Sequence, residues 1–162
     1  MASWVRQRAE QVQKEDERRR QEREWTIARE RIIARKIRPL WEQFVACVEQ
    51  DVNEINKEFS FDPGRKAEFS TSDNPPQIRV HKSHYPAIRL NVILDEPSQR
   101  IAVLYEITLH SDASTQEEHG GGFAFDLDDK GDLYLTRKGQ PVTCSEASQF
   151  LLERIISPVK HL

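Results

Sequence analysis

The densest concentration of chemistry-bearing residues in the chain is Glu117–Asp132, which reads EEHGGGFAFDLDDKGD. Three kinds of chemistry overlap there. The run His119-Gly120-Gly121-Gly122 offers backbone N–H groups to an oxyanion, because glycine lets the backbone come close to a reacting carbonyl. Phe123 and Phe125 alternate as aromatics do on a strand that stacks nucleobases. Asp126, Asp128 and Asp132 around Gly131 place carboxylates at spacings suited to a cation-binding loop. His110 and His119, with Asp112 and Glu117, add the residue types of a metal or general-base site.

Each pattern lacks the residues it needs most. Esterases with a His-Gly-Gly-Gly run also carry a nucleophilic serine on a Gly-x-Ser-x-Gly elbow, and none of the six glycines here forms one. Gly122–Phe125 resembles the centre of the ribonucleoprotein motif, but the basic residue before it is Gly121, and Asp126 and Asp128 replace an aliphatic and an aromatic. The nearby carboxylates would also repel a phosphate backbone. An EF-hand loop needs an oxygen ligand at its fifth position and a glutamate at its twelfth; these are Lys130 and Arg137. What remains is a glycine loop, a strand that buries Phe123 and Phe125, and a hairpin turn at Gly131. His110, His119 and Gly121 stay as a candidate ligand loop, with no metal and no cofactor assigned to it.

A second constellation is the arginine cluster Arg18, Arg19, Arg20 and Arg23, whose forked guanidinium groups suit phosphate. Glu15, Asp16, Glu17, Glu22 and Glu24 are interleaved with it and neutralise much of its field. The preferred reading is a solvated, charged helix, with nucleic-acid binding as the alternative. The apolar residues Trp4, Val5 and Val12 at one end of this segment and Trp25 and Ile32 at the other are candidate partner-binding residues. Aromatic side chains left in water on a helix are favoured interface anchors.

The elements that must carry these residues follow from periodicity. In residues 4–59 there is no glycine and a single proline, Pro39. Apolar positions Ile33, Ile37, Trp41, Phe44, Val48, Val52, Ile55 and Phe59 recur three or four apart, the repeat of a helix face. A kink or restart is expected near Arg38, since a proline inside a helix removes a donor and crowds the preceding turn. Before it, Gln13–Glu24 holds no apolar residue. Acid-before-base pairs such as Glu15–Arg19 support that stretch as helix without docking it.

From residue 65 the repeat changes to two. Ala67/Phe69/Thr71, Ile78/Val80, Leu90/Val92/Leu94, Ile101/Val103/Tyr105/Ile107/Leu109, Phe123/Phe125/Leu127 and Leu133/Leu135 read as strands. None of their connectors holds a helix, so the strands are antiparallel and form a meander of about six. Thr143 and Glu146 make a capping box. It opens a last helix with an apolar face at Ala147, Leu151, Leu152, Ile155 and Ile156, closed by Ser157-Pro158. The fold class is therefore α+β: a long N-terminal helix, an antiparallel sheet, and a C-terminal helix on the same sheet face. Residues 1–38 form a charged helical arm and residues 39–162 the α+β domain.

Charge divides along the same line. The net charge of the whole chain is −3, with 24 Lys/Arg against 27 Asp/Glu. Residues 1–38 hold 12 Lys/Arg and 7 Asp/Glu, and residues 39–162 hold 12 and 20, so a basic arm joins an acidic body. Cys47 and Cys144 are far apart in sequence and in no metal-binding spacing. No apolar run approaches the roughly 20 residues of a membrane helix and no secretory leader is evident, so a cytoplasmic protein without membrane contact is expected. The combined expectation is a non-enzymatic module that uses its arm, as a coiled-coil-type helix, to meet a protein partner or form a homo-oligomer. The alternatives are nucleic-acid binding through the arm and a small enzyme or ligand binder at the 110–122 loop.

Overall fold

The structure is a computed structural model, and it describes residues 3–157 of the chain. Pro158, expected to help close the last helix, lies outside the described residues. One helix, α1 (Ser3–Glu58), is followed by a short 3-10 turn at Pro63–Arg65. Eight strands come next: β1 (Ala67–Asp73), β2 (Pro76–Lys82), β3 (Ala87–Asp95), β4 (Arg100–Thr108), β5 (Gln116–His119), β6 (Phe123–Leu127), β7 (Leu133–Arg137) and β8 (Gln140–Val142). Helix α2 (Cys144–Ile156) closes the described chain.

Pro39 lies inside α1 without ending it, so the restart expected near Arg38 does not occur. The helix carries its core face straight across the proline. Ile33 and Ile37 before it, and Trp41 and Phe44 after it, are all buried in one core. That continuous burial fixes both flanks of the missing backbone hydrogen bond. Burial begins at Ile33, whereas every residue of 3–32 except Arg29 is exposed.

The strands form one antiparallel meander in the order β1-β2-β3-β4-β6-β7-β8, with β5 paired to β4 as well. The two strands beyond the expected six are β5 and β8, which are short and carry no apolar alternation: every residue of β5 is exposed. Inward residues alternate along β2, β3 and β4, and Ile78, Val80, Leu90, Val92, Ile101, Val103 and Tyr105 line the core side. Leu109 falls past the end of β4 and is exposed.

Both helices cover this one face. The Phe44 ring lies 6.0 Å from Phe123, and Phe123 in turn meets Phe150 of α2 edge-on at 6.2 Å, so α1, the sheet and α2 share one aromatic seam. The end of α1 is tied to the first strand by Asn56, whose side-chain amide donates to the Ala67 carbonyl (2.8 Å) and accepts from its N–H (2.9 Å). The capping box of Thr143 and Glu146 is formed at the start of α2.

Candidate functional site

The glycine run has three separate structural duties. His119 pairs with Leu104 on β4, and Phe123 pairs with Ile101 on the same edge. Four steps along the glycine strand are thus matched by three along β4, which makes a bulge. Within it, the Gly120 N–H donates to the Val103 carbonyl at 3.0 Å. A side chain at Gly120 would collide with Tyr105 and Val103, and one at Gly122 would stand 2.2 Å from the Ile101 carbonyl oxygen. Gly121 instead has φ +67 and open space around it, so backbone conformation alone requires glycine there. These are packing roles within a strand and its bulge.

The imidazoles of the candidate ligand loop are not brought together. His119 sits opposite Leu104, while His110 lies beyond Thr108, where β4 ends. Four strand steps, from Leu104 to Thr108, separate those levels, roughly 13 Å at about 3.3 Å per residue. Among the described residues no group of three His, Cys, Asp or Glu side chains is placed to hold a metal ion.

His119 lines a small cavity of about 200 Å³ with Tyr105, Glu118, Phe150 and Arg154. Three of its side chains engage their surroundings. The Arg154 guanidinium meets the Glu118 carboxylate at 2.6 Å and lies over the Tyr105 ring, 5.3 Å from its centroid. The Tyr105 hydroxyl donates to the Leu151 carbonyl at 2.9 Å. Burial pushes the Tyr105 phenol up to about 12, so it stays protonated at neutral pH. The cavity holds β4 to α2 and presents no activated nucleophile. Sequence reading missed Tyr105, Glu118 and Arg154 as a group, because nothing local announces a contact between a central strand, an edge strand and the last helix.

Asp126 and Asp128 also have local partners. The Asp126 carboxylate accepts from Arg29 of α1 and from the Leu127 N–H. Asp128 accepts from the backbone N–H groups of Lys130 and Asp132 at 2.9 and 2.8 Å, closing the turn at Gly131. The carboxylate spacing that suggested a cation loop therefore builds a hairpin.

Among the described residues, the arm before Arg29 is the largest feature without a polar contact on the body. Residues 3–28 extend roughly 39 Å as helix at about 1.5 Å per residue. Trp4 is 69% exposed and Trp25 67%, and Val5, Val12, Ile27 and Ile32 are exposed too. Arg18, Arg19, Arg20 and Arg23 all face solvent. Arg20 pairs with Glu17 within the helix, and Arg18 approaches Glu22 at 3.9 Å. The basic residues nearer the body are used differently. Arg29 pairs with Asp126, Arg38 with Glu96 at 2.7 Å, and Lys36 donates to the Gly131 carbonyl. Part of the charge opposition between arm and body is thus satisfied inside one molecule, at the root of the arm. The distal stretch keeps its own.

Among the described residues no helix is long and apolar enough to cross a membrane. The chain matches no protein-family model, and no curated protein or solved structure is significantly similar to it.

Proposed function

We propose that this protein is a non-enzymatic interaction module whose N-terminal helical arm docks onto protein, with self-association as the leading form of that docking. The observation that carries the reading is the bare arm: Trp4 and Trp25 stand more than two-thirds exposed on a helix that touches its own domain only at the root. A solvated helix needs no tryptophan, whereas large aromatic side chains are enriched at interface centres. Nucleic-acid binding through Arg18, Arg19, Arg20 and Arg23 is the lesser reading, because Glu17 and Glu22 already pair with two of those arginines. It predicts steeply salt-dependent binding that is lost when the cluster becomes alanine.

The test is the light-scattering mass of the full chain, alone and as the Trp4→Ser/Val12→Ser/Trp25→Ser variant, over a concentration series. The parent is expected to exceed the 18.9 kDa of one chain and the variant to return to it. A parent that stays at 18.9 kDa throughout removes self-association from the proposal.

A further inference from the structure

The far end of α1 and helix α2 enclose a groove of about 370 Å³. Its floor is apolar, made by Ile55 of α1, Phe59 just past that helix, and Leu152 and Ile156 of α2. Its rim carries four carboxylates, Asp51, Glu54, Glu58 and Glu153, and no Lys or Arg lines it. Arg65, the cation stacked on the Phe59 ring at 5.0 Å, is already paired with Asp62 at 2.8 Å. Beside the groove Phe61 is 79% exposed, with its ring 6.3 Å from that of Phe59. An apolar floor inside an uncompensated acidic rim selects an occupant that is apolar along one stripe and basic at its edges.

The first turns of the arm have that character. Val5, Ala9 and Val12 recur four and three apart, one helix face, with Trp4 beside them. Arg6, Arg8 and Lys14 stand against the single carboxylate of Glu10. The groove and this patch lie at opposite ends of one continuous helix, Ser3–Glu58, whose length is roughly 84 Å. A bend at Pro39 cannot turn the arm through the reversal needed to reach its own groove. Any arm that fills this groove therefore belongs to another molecule.

Resting on the self-association reading above, we infer that the acidic groove between α1 and α2 receives the Trp4–Lys14 patch of a second copy's arm. The patch, residues 4–14, and the α1 side of the groove, residues 51–59, are placed symmetrically about a point near position 32 of the chain. A two-fold axis there seats both arms at once in an antiparallel exchange, and closes the assembly as a dimer.

Charge reversal in trans tests this. The arm variant Arg6→Glu/Arg8→Glu and the groove variant Glu54→Arg/Glu58→Arg each set like charges together in their own homodimers. Each is expected to weaken dimerisation by more than about tenfold. Mixing the two restores opposite charges at both contacts, so the mixture is expected to return to twice the 18.9 kDa chain mass. A misfolded variant cannot be rescued by mixing, so recovery also shows that both variants are folded. If the groove variant keeps its dimer while the arm variant loses it, the arm docks elsewhere and this inference falls while self-association stands. If both variants lose the dimer and the mixture does not regain it, direct pairing of arm and groove is wrong. A parent that is monomeric throughout removes both proposals.

Discussion

Arg29 of the arm and Asp126 of β6 form an ion pair across 97 residues of sequence, four residues before α1 enters the core at Ile33. The pair marks the root of the arm. The carboxyl of Asp126 is held below its ordinary value, first by the Arg29 guanidinium and then by the Leu127 N–H. Because the folded state depresses this pKa, its contribution to stability is present above the unfolded value near 3.8 and is lost as pH falls through the folded value.

Asp126→Asn should therefore act on the arm's root more than on the fold. Solvent-exposed ion pairs contribute on the order of 0.2–1 kcal/mol, so the unfolding free energy at neutral pH should fall by no more than that. Amide exchange around Arg29 should accelerate while that around Phe44 does not. A loss of several kcal/mol would show that the pair organises the core instead.

The glycine run gives a graded pair of substitutions. Gly122→Ala drives a methyl group into the Ile101 carbonyl oxygen, and the obstacle is backbone, which cannot rotate away. Gly121→Ala meets nothing and suffers only its positive φ, a strain of roughly 1–2 kcal/mol. Thermal unfolding should rank Gly122→Ala as clearly more damaging. Equal losses would contradict the assignment of separate roles to adjacent glycines.

Cys47 of α1 and Cys144 at the start of α2 are neighbouring thiols in the fold, although 97 positions separate them. Burial, then the neighbouring Cys47 thiol, pushes Cys144 up to about 11. At neutral pH almost none of it is thiolate, the reactive form. Alkylation of Cys144 in the native protein should be slower than in a denatured control by more than about tenfold, read by mass spectrometry. Equal rates would mean that α2 does not shield it.

Most of the architecture was legible because it is written in periods: Ile33 to Phe59 at helical spacing, and Leu90, Val92 and Leu94 in alternation. The short strands β5 and β8 were not, since Gln116–His119 alternates nothing and is paired only because β4 offers it an edge. The His119-Gly120-Gly121-Gly122 run was legible as a loop but not as a bulge, which depends on register with a distant strand. Contacts such as Arg154 with Glu118 and Cys47 with Cys144 are products of packing and leave no local mark. The exposed aromatics of the arm could be read directly, while the groove could not, because its two walls come from helices almost a hundred residues apart.

Lys82 shows a signal that was present and passed over. Ile78 and Val80 point inward on β2, and the same alternation carries Lys82 inward, where it is only 3% exposed. Its ammonium donates to the His84 and Pro86 carbonyls, both at 2.7 Å. Burial first, and Arg65 second, hold its pKa below the ordinary 10.5, with Asp62 acting in the opposite sense. The unfolded chain therefore binds this proton more readily than the folded one, and stability from this group rises with pH across the window that ends at 10.5. Lys82→Met leaves two carbonyls without their donor, a cost of about 1–3 kcal/mol. Its deficit against the parent should widen between urea titrations at about pH 7 and about pH 10; a constant deficit would place the lysine in solvent.

The last contrast separates residues that fold the protein from residues available to a partner. Phe44 is fully buried and packs on Trp41 and Phe123, so Phe44→Ala should cost about 3–5 kcal/mol. Trp4 and Trp25 are of similar or greater bulk but stand in water, and their removal should change monomer stability by no more than about 0.5 kcal/mol. Association reverses that neutrality, because a contact made only by folded chains adds stability in proportion to the logarithm of concentration. The parent's unfolding midpoint should thus climb with protein concentration, and the Trp4→Ser/Val12→Ser/Trp25→Ser variant should lose that climb while matching the parent at high dilution. Midpoints that coincide at every concentration would leave the two tryptophans without a partner of this chain's own kind.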